Sequence, residues 1–158
     1  MKSELRNFIL KVLLIIAVGY ILCTKVFYIS INHENNMYPA IRDGDLCIAL
    51  RFVTPENGSV VAYNTEEGVK YGRIVSTGGH TVNITNEGLL VDDSLQYEYV
   101  VYPTTEEGVE VEMPYNVGEG SYFILNDYRS DTKDSRLYGS LKEEVIGKVV
   151  LVIRRRGI

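Results

Sequence analysis

Hydrophobic positions fall into two regimes along the chain. From Phe8 to Tyr28 they are nearly continuous, FILKVLLIIAVGYILCTKVFY. A run of about 20 residues is the length at which an α-helix crosses the hydrocarbon core of a bilayer. Lys11 and Lys25 interrupt it, but each lies near one end, where a long apolar stem lets the ammonium reach the interface. Tyr20, Phe27 and Tyr28 add aromatic rings toward the far side. A cleaved signal peptide competes with this reading, yet the flank KVFYISINHE offers no A-x-A-like site. A buried core helix fits less well with Lys2 and Arg6 standing ahead of the run. The pattern therefore predicts an uncleaved anchor over residues 1–30 and a domain over residues 31–158. Basic residues before the span place the N-terminus in the cytoplasm and the domain outside the cell membrane, in a single-pass chain.

After residue 40 the period changes. Short β-branched and aromatic runs, broken by Gly, Asn, Asp and Pro, predict strands near 46–53, 59–64, 69–75, 80–85, 88–93, 122–125 and 145–155. PENG, EEG, STGG and NEG supply turns between them. Strands at this spacing argue an all-β antiparallel fold behind the single helix. Residues 92–119 read as a variable insertion, acidic and tyrosine-rich, with YEYVVY at 97–102 and EEGVEVEMP at 106–114. Alternation there predicts one or two extra strands with the acids on a solvated face. A charged edge that blocks stray sheet pairing and a partner-binding surface both remain open for it.

Composition narrows the chemistry. An apolar fraction of 46% in 158 residues belongs to a folded domain, and a net charge of -5 argues against a nucleic-acid binder. The basic cluster Arg154, Arg155 and Arg156 reads as a charged stop after the last strand or as a contact for anionic headgroups. Cys23 and Cys47 lie in unrelated segments, so a disulfide is not expected, and His33 and His80 stand alone without metal-ligand spacing. No cofactor and no metal are expected.

Three blocks occur in order: Asn36-Met37-Tyr38-Pro39 with Asp43-Gly44-Asp45; Tyr71-Gly72-Arg73-Ile74-Val75 with Gly79-His80-Thr81-Val82; and Tyr122 to Arg129 with Asp134-Ser135-Arg136. Together they resemble type I signal peptidase, a membrane serine protease whose blocks read roughly S-M-x-P-T, K-R-V-I-G-x-P-G-D-T-V and Y-F-x-x-G-D-N-R with S-x-D-S-R. The resemblance covers essentially the whole chain and implies a largely antiparallel β, signal-peptidase-like fold.

What the resemblance implies about chemistry is a loss. A Ser-Lys dyad needs a hydroxyl nucleophile and a lysine amine neutral enough to take its proton. The nucleophile's place is held by Asn36 and the base's place by Gly72, while Glu34 stands where many members carry an oxyanion-holding serine. A carboxylate there would repel a developing oxyanion. Lys70, two residues before Gly72 on the same strand face, is the candidate for a displaced base. Thr132, Asp134 and Arg136 match residues that brace the family's lysine, and Met37 and Pro39 match the cleft rim. Arg73, Asp127 and Arg129 complete the matched scaffold. The expectation is a pseudo-enzyme resembling the Gram-positive, pilus-associated members. Its partners would be a pilin and the sortase that joins pilins, in an assembly role. An active peptidase with a displaced dyad is the alternative.

Overall fold

The structure is a computed structural model that describes residues 2–98 and 100–155. Tyr99 of the acidic insertion and Arg156 of the basic cluster, both named above, lie outside the described residues.

Helix α1 (Lys2–Ile21) passes into a π-helical turn (Leu22–Val26). Together Ser3–Val26 makes 24 residues of helix, long and apolar enough to cross a membrane, with none of it buried in the protein. At 1.5 Å per residue it reaches about 36 Å, beyond a hydrocarbon core of roughly 30 Å. The helix stops two residues short of the expected Tyr28, because Phe27–Ile31 is strand β1. Its aromatic and β-branched residues pair antiparallel with β2 (Leu46–Leu50), and the Arg51 amide donates to the Val26 carbonyl at 3.0 Å, sealing the junction.

The remaining strands are β3 (Val60–Thr65), β4 (Gly68–Thr77), β5 (Thr81–Thr85), β6 (Gly88–Val91), β7 (Ser94–Leu95), β8 (Tyr115–Asn116), β9 (Tyr122–Leu125) and β10 (Val145–Ile153). A four-residue helix, α2 (Ser135–Tyr138), precedes β10. They form a six-stranded sheet in the order β1-β2-β10-β3-β4-β9 and a four-stranded sheet in the order β7-β6-β5-β8. Every pairing is antiparallel, which is the all-β architecture the alternation predicts. The last strand sits at the centre, between β2 and β3. Gly147 makes that possible: a Cβ there would lie 2.4 Å from the Leu50 carbonyl oxygen of the neighbouring strand.

On the large sheet, Ala62 and Tyr71 turn to one face with Met37, Ile41, Cys47 and Ala49, while Val61, Tyr63, Ile74 and Ile124 fill the other. A third cluster, Val82, Ile84, Leu89, Val117, Phe123 and Leu125, joins the two sheets. Each Val, Leu, Ile, Phe or Met side chain among them contributes about 1.5–3 kcal/mol on burial.

Cys23 and Cys47 are both free. Burial pushes the Cys47 thiol up to about 11, against a hydrogen bond with Tyr71 that lowers it and the Asp45 charge that adds to the rise. Thiolate is the reactive form. In a Cys23→Ser chain, iodoacetamide at mildly alkaline pH should therefore leave Cys47 unmodified when folded and alkylate it in urea. Rapid labelling of the folded chain would contradict this burial.

The insertion departs from expectation. Only the two-residue strands β7 and β8 form within residues 92–119. Val109, Val111, Met113 and Tyr115 do alternate inward onto the third core cluster, with Glu110 and Glu112 exposed. The alternation was thus a packing signal without a ladder, because the Glu110 and Val111 amides both donate to the Arg136 carbonyl instead of a strand.

Candidate functional site

The first two blocks meet through the loop that follows β1. Asn32 holds the base of this loop: its amide donates to the Asp45 carbonyl at 2.9 Å and its carbonyl accepts from Gly44 at 2.8 Å. A turn from Asn36 follows, closed by the Ile41 amide on the Met37 carbonyl at 3.0 Å. Met37 is fully buried in the core rather than on a cleft rim, its sulfur accepting from the Asp127 amide at 3.3 Å. Apolar bulk next to Tyr71 and Ala49 draws it in. Pro39 is not at the cleft, and its carbonyl accepts from Arg154 at 3.2 Å.

Asn36 is buried, and its amide nitrogen donates to the Tyr71 carbonyl at 2.8 Å and to Asn126 Oδ1 at 2.9 Å. Its own carbonyl accepts from the Tyr128 amide at 2.9 Å. The three blocks therefore converge on this side chain, one residue from Gly72. At Gly72 a Cβ would lie 2.4 Å from Ile124 Cγ2 and 3.1 Å from Tyr63 Cε1, so Ile124 and Tyr63 fill the space beside its backbone. Among the described residues, Asn36 Oδ1 and the Tyr63 hydroxyl are the buried side-chain polar atoms without a hydrogen-bond partner in the protein. Both belong to this centre. Burial raises the Tyr63 phenol above its usual range, and Asp134, Glu34 and Asp131 push it further in the same direction.

A cleft of about 630 Å³ opens beside Asn36. Lys70 enters it from β4, pointing to the same strand face as Gly72, and is itself buried. Its ammonium lies 2.7 Å from Glu67 and 3.8 Å from Glu34. Burial lowers its pKa, but the Glu67 hydrogen bond and the charges of Glu34 and Glu67 outweigh that, leaving it above the ordinary lysine value. Lys133 joins the same group, 3.7 Å from Glu67. The exposed rings of Tyr38 and Tyr128 flank the opening, and Tyr102 of the insertion meets Tyr128 edge-on at 4.8 Å.

The third block is the brace. Arg136, with no exposed surface, donates through Nε and Nη2 to Asp134 at 2.9 and 2.7 Å and to the carbonyls of Arg129 and Asp131 at 2.8 Å each. Asp134 caps α2 and accepts from the Asn126 amide at 2.9 Å, so the pair fixes the residue that holds Asn36. Arg73 grips Asp127 with two bonds at 2.7 and 2.6 Å and reaches the Gly58 carbonyl at 2.8 Å. Arg129 ties the insertion down through Glu98 and Thr104. Thr132 lies beneath Gly108, where an added Cβ would meet it within 2.3 Å.

Several of these residues escaped sequence reasoning. Glu67, His33, Asp131 and Lys133 line the cleft but match no family block except by adjacency, while Tyr128, from the third block, lines it too. His80 is not alone either: its Nδ1 lies 2.7 Å from Asp92, whose other oxygen accepts from Thr81. Glu98 is an ion-pair partner rather than part of a solvated acidic face.

The chain has known relatives. The family model "Signal peptidase, peptidase S26" matches residues 5–154. "Signal peptidase IB" of Staphylococcus aureus is 25% identical over 94% of this chain and 89% of its own length. "Probable signal peptidase I-1" of Synechocystis is 26% identical over 72% of this chain, and the chain spans 63% of that relative. "Probable thylakoidal processing peptidase 2, chloroplastic" of Arabidopsis thaliana is 33% identical over 74% of this chain, which spans 35% of that relative. Among solved structures, a signal peptidase I from Enterococcus faecalis shares the fold, with a TM-score of 0.51 and 24% identity over 62% of this chain and 98% of that one. A match that runs from the anchor helix through all three blocks to the end of the last strand makes this chain a member of the signal peptidase family, peptidase S26.

Proposed function

We propose that this chain has given up peptide-bond hydrolysis and uses the retained cleft to bind a protein partner at the outer face of a Gram-positive membrane. The observation that carries the reading is the state of Asn36. A carboxamide cannot form an ester intermediate, and both its hydrogens are committed to Tyr71 and Asn126. Gly72 offers no amine, and Glu34 brings a carboxylate where a developing oxyanion would need donors. Losing a nucleophile of this kind costs on the order of 10⁶ in rate. The partner we favour is a pilin or pilin precursor, with the sortase that joins it, in an assembly role. The insertion supports a binding function because Arg129–Glu98 and Tyr102–Tyr128 hold it against the cleft.

One observation favours an active peptidase: Lys70 is buried in the same cleft. Its two carboxylate neighbours hold it charged, the opposite of what a general base requires. Ser30 supplies no better nucleophile, since it bonds the Tyr71 hydroxyl, itself raised above its usual range by burial. Purified full-length chain offered a signal-peptide substrate should give no cleavage, and Lys70→Ala should change nothing. Processing that disappears in Lys70→Ala would establish the displaced dyad. Pull-down with the full-length chain should enrich pilin or sortase, and a deletion strain should show altered pili. Recovery at background together with normal pili would sink the assembly role.

A further inference from the structure

Charge in the cleft beside Asn36 does not balance. Its carboxylates are Glu34, Glu67 and Asp131 and its ammonium groups are Lys70 and Lys133, which leaves one negative charge over. The pairing is uneven as well. Glu67 takes both lysines, Lys70 at 2.7 Å and Lys133 at 3.7 Å. Asp131 Oδ1 accepts from the Lys133 backbone amide at 3.1 Å. Glu34 stands 3.8 Å from Lys70, beyond hydrogen-bond length, with its side chain 43% exposed. The cleft's ammonium groups are thus spent on Glu67, and Glu34 keeps acceptor capacity open to solvent.

A second, independent observation lies at the floor. Asn36 is 4% exposed and lines the cleft, and its Oδ1 has no partner in the protein. The carboxamide cannot turn over to satisfy that oxygen. Its nitrogen faces two acceptors, the Tyr71 carbonyl and Asn126 Oδ1. Asn126 is itself fixed, because its Nδ2 donates to the Asp131 carbonyl at 3.0 Å. Neither Tyr71 nor Asn126 lines the cleft, so the nitrogen points away from it and the oxygen is the end left on the cleft side. A buried acceptor without a donor is costly, and a ligand that brings an N–H to it removes that cost. At the opening, the exposed Tyr38 and Tyr128 rings add faces that attract cations, and Arg42 already stands 5.1 Å from the Tyr38 ring centroid.

We propose that the cleft seats a cationic side chain of a partner peptide, a lysine ammonium or an arginine guanidinium, between Glu34 and the Tyr128 ring, with Asn36 Oδ1 as a further acceptor. Both groups carry donors and no acceptor, and a surplus carboxylate, an unmet carbonyl and exposed ring faces all call for donors. A glutamate in the same place meets the charge of Glu34, and an aliphatic side chain leaves Asn36 Oδ1 unmet, so the cleft selects against both. The inference deepens the binding role given above and rests on it, because it names the chemistry of the segment that enters.

The test uses the full-length chain in nanodiscs of phosphatidylcholine, whose headgroups carry no net charge to collect cationic peptides. At about pH 8, imidazoles of ordinary pKa are neutral and add no charge. The probes are capped peptides Ser-Gly-Ser-Xaa-Ser-Gly-Ser with a neutral fluorophore at one end, Xaa being lysine, arginine, norleucine or glutamate, read by anisotropy. Lysine and arginine probes are expected to bind on the order of tenfold more tightly than the other two. Glu34→Gln should remove most of that preference. Glu87→Gln, which neutralises an exposed acid in the β5–β6 turn outside the cleft, should keep it. Equal binding of the lysine and norleucine probes, or no binding by any probe, overturns the proposal. So does an equal loss in Glu34→Gln and Glu87→Gln, because net charge alone would then account for the attraction. With asparagine side-chain carbonyls labelled with carbon-13, the lysine probe should move the Asn36 resonance, identified by its loss in Asn36→Ser. An unmoved resonance removes Asn36 from the seat. Pilin or sortase recovered equally by the unmodified chain and by Glu34→Gln would keep the binding role and overturn the cationic seat. Probes that discriminate while neither protein is recovered would support the seat and sink the assembly role.

Discussion

Replacing Asp134 by alanine is expected to cost about 3–5 kcal/mol, the size measured when one partner of a buried ion pair is removed. Arg136 has no exposed surface and would keep its charge with only two carbonyls as partners. The Asn126 and Arg136 amides would each lose an acceptor as well. Against a total stability of about 5–15 kcal/mol, this takes a large share. Urea unfolding of the full-length chain in detergent, followed by the near-ultraviolet signal of its tyrosines, measures it. Asp134→Leu with Arg136→Met removes both charges and should cost less than Asp134→Ala alone. If the single change leaves the midpoint where it was, the pair is not the brace described here. Partner binding should fail alongside stability, since Asp134 holds Asn126 and Asn126 holds Asn36.

Writing the family's dyad back into the chain is the second large effect. Asn36→Ser with Gly72→Lys should yield no signal-peptide cleavage and should lower stability by about 1–3 kcal/mol, the usual cost of overpacking a core. The reason is local. A Cβ at position 72 meets Ile124 Cγ2 at 2.4 Å and the Tyr63 ring at 3.1 Å, both on the fully buried side of the sheet. Adding Ile124→Ala removes the tighter contact and should return part of the lost stability. The new hydroxyl would also lose the donors Asn36 now supplies to Tyr71 and Asn126. Cleavage by the double variant alone would show that Ile124 and Tyr63 yield easily and that the centre is closer to the active form than its packing implies.

Both experiments bear on the same physical point. Among the described residues, the buried polar atoms without a protein partner are Asn36 Oδ1 and the Tyr63 hydroxyl. Interiors ordinarily satisfy such groups, so finding one on Asn36 and the other beside Gly72 marks a region whose packing is not optimised for stability alone.

Much of this was legible in the sequence, for identifiable reasons. The membrane-length helix is a composition signal broken only near its ends by Lys11 and Lys25, and the strands β2 to β6, β9 and β10 follow from β-branched runs between turn residues, both local properties of the chain. The three blocks are also local, which is why the family could be read from them. Residue 28 as strand rather than helix was not legible, because an aromatic, β-branched segment serves either, and only pairing with Ala49 decides. The insertion's alternation was read as strands because sequence cannot tell a ladder from a packed segment whose amides go to Arg136.

The rest depended on what lies across the fold. The charge environment of Lys70 came only with the tertiary structure, which puts Glu67 and Glu34 beside it, one from the β3–β4 turn and one from the loop after β1. Charge state depends on neighbours through space, and no spacing along the chain encodes those two together. Likewise the outward rows on β1, β2 and β10 are ordinary apolar strands in sequence. Only register and packing show that Tyr28, Val149 and Val152 turn to the core while Ile29, Ile31, Leu151 and Ile153 stay half exposed. The sequence by itself determined the family and the membrane-length apolar helix, because those are set by residue identities along the chain. The tertiary structure alone decided what fills the site and which face is left bare, because packing and charge pairing are set by distance, not by order.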